Sequence, residues 1–225
     1  MLLVKALVGS RLGGWNSGDS DWDWRGVAVL PKEWYANPFR PSVPDAQEVS
    51  KSPDYVVYSV KHFFEKCAAG ATNLVELLYS NQFEYESVLW GFVKVARGLF
   101  ASKQWFGKFY GHSLGEWTRY EKTGDLKCAM NSFRLLSELY DLLENGRLSF
   151  PVYNSNDLRN VRCGVYSKGY LENWRKEKLY EVRKLEEKAE RFKGFPDDPA
   201  YLQLGKVYNT IYRHMYEEND DEVLE

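Results

Sequence analysis

The sequence predicts an α+β protein, with a small lobe of strands and helices over residues 1–80 and an α-helical lobe over residues 81–225. Three observations lead there. Leu2–Val8 is a short apolar run of strand length. Asp21–Leu30 alternates, with Asp21 and Asp23 on one face and Trp22, Trp24 and Gly26 on the other. From His62 onward apolar residues recur at helical spacing, and before that point Asp54–Val60, rich in β-branched and aromatic residues, supplies a further strand.

Taken in order, Leu2–Val8 fits a buried strand that runs straight into Gly9-Ser10. Arg11–Asp19 is rich in Gly, Asn and Ser and reads as a loop containing at most a helical turn. The alternating strand follows, and Val27-Ala28-Val29-Leu30 carries it into the core. Pro31–Pro53 holds five of the eight prolines and reads as a long loop, a feature compact domains often keep for function. After the strand at 54–60, helices are expected at 59–69, 72–79, 85–99, 104–122, 125–145, 155–162, 167–192 and 198–217. Gly146 suits the left-handed cap of the fifth. Opposite charges at i,i+4 spacing through 172–193 mark a solvated helix, which Gly194–Pro199 ends. The acidic tail from Glu217 is expected to fray.

Composition narrows the class. A chain of 225 residues can bury a sizeable core. A net charge of −2 argues against a broad basic surface, which leaves a local basic groove as the route to nucleic acid. Cys67, Cys128 and Cys163 are far apart, with no paired spacing, and read as free thiols rather than a zinc site. The start lacks a secretory pattern and no stretch is long enough to span a membrane, so a cytoplasmic protein is expected.

The chemistry concentrates between residues 9 and 26. Gly9 permits close backbone approach, and the Ser10 hydroxyl with the amides after it can hold phosphate. Asp21 and Asp23 leave one face of an extended strand with Cα atoms roughly 6.5–7 Å apart. Such paired carboxylates repel, and a divalent cation relieves the repulsion. Mg²⁺, which prefers carboxylate and phosphate oxygens, fits best, with Mn²⁺ as a substitute. Arg25 shares that face and is equally suited to orienting the carboxylates. His62, His112 and His214 have no metal-ligand spacing. Phe133 and Leu135-Leu136 read as core, with Arg134 able to reach a nucleotide phosphate or base.

The segment GSRLGGWNSGDSDWDWRGV resembles the DNA polymerase β-like nucleotidyltransferase superfamily, and most closely its RNA-ligase-associated (RlaP-like) family, in which Gly-Ser-Arg and Ser-Asp-x-Asp-x-Arg-Gly-Val occur together. Weaker likeness continues at Asp54–Phe63, at Asn73–Leu78, and from Lys127 to Leu148, so that it covers roughly residues 1–165. Two departures stand out: Asn131 occupies a position where histidine is expected, and the helix that commonly precedes the Gly-Ser strand is missing. The resemblance implies a mixed nucleotidyltransferase-type sheet. It also implies a third metal-binding carboxylate on a later strand, for which Asp54 is the candidate and Asp45 or Glu48 the alternatives. Arg11, Arg25, Lys61 and Lys127 would balance triphosphate charge.

The function so implied is transfer of a nucleoside monophosphate from an NTP such as ATP to an acceptor hydroxyl, with release of pyrophosphate. Gly9, Ser10, Arg11, Arg25 and Lys61 would bind the nucleotide, and Asp21, Asp23 and Asp54 would hold Mg²⁺ and carry the catalysis. The acceptor is an RNA end, a protein or a small molecule. The competing classes are an inactive nucleotide- or RNA-binding protein on the same fold, and a phosphohydrolase using the same metal pair.

Overall fold

The structure, a computed structural model, describes residues 1–31, 34, 46–51, 54–191 and 199–217. Five strands, β1 (Leu2–Val8), β2 (Asp23–Ala28), β3 (Ala46–Lys51), β4 (Asp54–Ser59) and β5 (Phe83–Glu86), form one mixed sheet in the order β3-β4-β2-β1-β5. The β2/β4 pair is parallel and the other neighbours are antiparallel. This is the α+β class and the mixed sheet expected from the sequence.

Local chemistry sets the helices. A single turn, α1 (Gly9–Gly13), follows β1 and is closed by Gly14 in the left-handed conformation. Next come α2 (Val60–Ala68) and α3 (Thr72–Tyr79). The Ser59 hydroxyl caps α2 by accepting the His62 amide at 3.2 Å. The remaining helices are α4 (Val88–Val95), α5 (Lys103–Thr123), α6 (Leu126–Asn145), α7 (Ser155–Arg162), α8 (Lys168–Lys184) and α9 (Pro199–Glu217). Gly146 takes the left-handed cap of α6, as its position predicts. No helix among the described residues is long and apolar enough to cross a membrane.

Three expectations about the elements need correction. A strand, β3, lies within the stretch read as a loop; it pairs with the edge of β4, and its mostly polar residues hid it. Residues 83–86 are a strand rather than the approach to a helix at 85, because β1 has a free edge there and Lys5 pairs with Tyr85. The Ser87 hydroxyl then starts α4, which gives way to a 3₁₀ turn at Arg97–Phe100. The helix expected to reach residue 192 ends at Lys184, and a 3₁₀ segment, Glu186–Arg191, continues the chain. The Gly/Pro break at 194–198 and the acidic tail from residue 218 lie outside the described residues, as does most of Pro31–Pro53.

One buried apolar cluster runs from β1 through α9. Phe63 of α2 meets Trp90 and Phe100 with ring centroids 5.3 and 6.0 Å apart, which ties the sheet's covering helix to α4 and the 3₁₀ turn. Phe64 contacts Tyr208 of α9 at 5.4 Å. Trp105 of α5 is fully buried, and its Nε1 donates to the Cys67 carbonyl at 2.8 Å. Trp105→Ala leaves a cavity and an unmet carbonyl, so it should lower stability by about 3–5 kcal/mol. The urea midpoint measures this, and a midpoint equal to the wild type would refute it.

Candidate active site

β1 ends by delivering Gly9 with φ +70°, a conformation that favours glycine. Space makes the same demand, since a Cβ there would sit 2.6 Å from Asp23 Oδ2. The Gly9 amide donates to Glu76 Oε2 at 3.2 Å, so this backbone group is held by α3 rather than left open for phosphate. Arg11 is also engaged. Its Nη2 and Nε donate to the Ser20 carbonyl at 2.6 and 3.1 Å, and Nε reaches the Asp21 carbonyl at 3.2 Å. The side chain expected at the triphosphate thus pins the segment that presents Asp21.

The parallel pairing of β2 with β4 sets Asp23 directly opposite Asp54. Their carboxyl groups lie within hydrogen-bonding reach. Burial pushes the Asp23 carboxyl up to about 6, reinforced by the bond to Asp54 and the charges of Asp54 and Asp21, while Arg25 pulls the other way. Asp54 is held below the usual carboxylate range, first because Arg25 Nη2 donates to its Oδ2 at 3.0 Å. The pair therefore shares a proton that belongs mainly to Asp23. Arg25 also donates to the Trp24 carbonyl at 2.8 Å and orients Asp54. Asp21 is exposed two residues before β2 and lines the same cavity as Asp23. Of the alternatives for the third carboxylate, Asp45 lies outside the described residues and Glu48 is described in its backbone alone.

That cavity has a volume of about 380 Å³. Its acidic side carries Asp19, Asp21 and Asp23 beside Gly9 and Ser10. The opposite wall comes from α6 and α7, with Lys127, Asn131 and Arg134 one helical turn apart and Arg162 from the end of α7. Asn131 donates from Nδ2 to Glu116 Oε2 at 3.4 Å. Lys61 does not come here. It lies 4.0 Å from Glu65 and lines a separate groove with Phe64 and Tyr208. None of the three histidines lines the cavity.

Beneath the cavity lies a buried cluster of charges. Arg134 Nη1 donates to Glu76 Oε1 and to Glu138 Oε1 and Oε2, the last two at 3.0 and 3.2 Å. One guanidinium cannot neutralise two buried carboxylates. Burial pushes Glu138 up to about 8 against the pull of Arg134. For Arg134 burial opposes the charge, but Glu138 and Glu76 outweigh it and hold the group protonated above its usual range. The consistent state sets a charged Arg134 beside a protonated Glu138. Local pattern does not announce Glu76 or Arg162 as site residues, although a carboxylate amid Leu74-Val75 and Leu77-Leu78 is itself a signal of a buried partner.

Residues 1–192 match the family described as RlaP, RNA repair pathway DNA polymerase beta family. The chain belongs to this family. No curated protein and no solved structure matches it. Membership in the DNA polymerase beta family makes the chain a nucleotidyltransferase at the coarse level, with a nucleotide as substrate. The matched stretch includes every residue of the cavity, and α9 lies beyond it.

Two outcomes follow from this geometry. Gly9→Ala forces a side chain into left-handed backbone and against Asp23, so it should cost at least about 1–2 kcal/mol in thermal or chemical unfolding. An unaltered midpoint would show that the backbone relaxes freely. Because Glu138 sits near 8 in the folded protein and about 4.3 unfolded, the folded state holds a proton that the unfolded chain releases. Its contribution to stability therefore falls as pH rises through that window. The loss of melting temperature between about pH 5 and pH 8 should be shallower in Glu138→Gln than in the wild type; equal slopes would place the proton elsewhere.

Proposed function

We propose that this chain is a Mg²⁺-dependent transferase that moves a nucleoside monophosphate from an NTP to an acceptor hydroxyl and releases pyrophosphate. The observation that carries the reading is a cavity with Asp21 and Asp23 at its acidic end and cations on its far wall, together with Asp54 paired to Asp23 on the neighbouring strand. An intact third carboxylate favours this reading over an inactive protein on the same fold.

The donor chemistry suits the metal. Asp21, Asp23 and Asp54 offer only hard carboxylate oxygens, and the upward push on Asp23, from burial and then from Asp54 and Asp21, marks the place where a divalent cation relieves repulsion. Among the described residues no three His, Cys, Asp or Glu side chains are grouped so as to hold a metal ion. An ion here would therefore have to take further ligands from water and substrate phosphate. Mg²⁺ bound there, with Mn²⁺ as a substitute, supplies the positive charge that offsets the phosphates and eases ionisation of the attacking hydroxyl.

The protein's own groups do the rest. Ser10, Lys127, Arg134 and Arg162 hold the triphosphate and receive the charge that develops on the departing pyrophosphate. Arg25 keeps Asp54 ionised, and Asp54 accepts the proton of the acceptor hydroxyl as its oxygen bonds to the α-phosphorus and the bond to the bridging oxygen breaks. Arg11 fixes Asp21 by its carbonyl and contributes positive charge nearby. An RNA end is the first acceptor to test, ahead of a protein or a small molecule, because the family is described by RNA repair.

Incubation with each α-³²P-labelled NTP, Mg²⁺ and RNA, protein or small-molecule acceptors tests the reaction. Wild type should transfer label, and Asp23→Asn and Asp54→Asn should each lower the rate by about 10²-fold or more, a loss of about 2.7 kcal/mol of transition-state stabilisation. Lys61→Ala should stay within about twofold, a change of under 1 kcal/mol. Transfer that survives Asp23→Asn would sink the assignment. Melting curves give an independent readout: Mg²⁺ should raise the wild-type midpoint and leave that of Asp23→Asn in place.

A further inference from the structure

Between the two carboxylates of the motif stands a residue they do not use. Trp22 is 51 % exposed, the lone exposed large apolar side chain from residue 9 to residue 31. It is nonetheless held in place. The Arg11 guanidinium carbon lies 4.3 Å from its ring centroid, and the Trp24 ring lies 6.3 Å away and within 8° of parallel. Arg11 is itself anchored through the Ser20 and Asp21 carbonyls. Lys5 sits 5.6 Å from the Trp24 centroid and 4.6 Å from that of Tyr55. Arg11 thus lies over Trp22, and Lys5 over Trp24 and Tyr55, which share the sheet face opposite Asp23 and Asp54.

Each feature narrows the occupant. An isolated aromatic, rather than a contiguous apolar patch, does not make a protein-docking surface. A rigid indole flanked by cations suits a flat, electron-rich ring attached to a negative backbone. Lys5 shares its charge with Glu84 at 2.8 Å. Among the described residues no carboxylate pairs with Arg11, whose bonds go to carbonyls and leave its charge uncompensated. A local cation beside an aromatic shelf is also the form that nucleic-acid binding takes on a chain of net charge −2.

We propose that Trp22, held by Arg11 and Trp24, is a stacking platform for a base of single-stranded RNA. That such an RNA is the acceptor rests on the nucleotidyl-transfer reading; the stacking does not.

Fluorescence anisotropy of a short 5′-fluorescein-labelled oligoadenylate, at low salt and without NTP, reads the platform apart from turnover. Trp22→Ala should raise Kd about tenfold or more, and Trp22→Phe should keep most of the affinity because it keeps the π face. Mg²⁺-ATP affinity and melting temperature should be unchanged in both variants. Asp23→Asn should bind the oligonucleotide, so a chain that transfers no label still tests the platform. Wild type that fails to bind, equal affinity in Trp22→Ala, or equal loss in Trp22→Ala and Trp22→Phe would each overturn the proposal. So would binding lost only when Lys127 or Arg162 is replaced.

Discussion

Two carboxyl groups side by side on neighbouring strands repel, and much of the molecule around Asp23 and Asp54 is arranged to offset that repulsion. The parallel β2/β4 pairing makes the juxtaposition unavoidable, since Asp23 and Asp54 open their strands in register. Arg25, two residues along β2, leans across to Asp54 and keeps that member ionised. Asp23 is the member that protonates more readily, and Gly9 lies close against it because any side chain at residue 9 would collide. The result is a site under electrostatic tension, which a cation can release.

Helix α6 is tied to this point through charge as well as packing. Glu76 joins the Gly9 amide to Arg134, and Arg134 joins Glu76 to Glu138, so a line of buried polar contacts runs from the sheet into α6. Desolvating three ionisable groups costs more than an apolar core would, and removing any one partner leaves a charge uncompensated. What the arrangement provides is position. Nη1 of Arg134 is clamped, while the side chain still lines the cavity beside Lys127 and Arg162. An anion in the cavity would then meet a guanidinium already oriented.

The motif region separates two jobs that share one strand. Along β2 alternation sends Asp23 to one face and Trp24 to the other, and Trp22, just before the strand, stacks beside Trp24. Arg11 serves the aromatic side, lying over Trp22 while it holds the backbone of Ser20 and Asp21. A residue type chosen by the sequence for its charge is thus used first for its planar, forked geometry.

The sequence by itself determined the local chemistry: the glycine after β1, the carboxylates at 21 and 23, the strand at 54, the helix cap at Gly146, and most helix boundaries. These depend on spacing and on intrinsic preference, which neighbours along the chain carry. Asp54 was legible as a candidate from its strand position and the family resemblance, but its place beside Asp23, 31 residues earlier, is a matter of register between two strands. Only the tertiary structure decided that Glu76 is paired with a residue 58 positions away, that Lys61 faces a different groove, and that Arg11 grips backbone. It also decided that Phe83–Glu86 completes the sheet, because a short alternating segment becomes a strand where an open edge is there to receive it. A burial, a partner or an edge is a property of two distant segments together, and neither segment's own residues contain it.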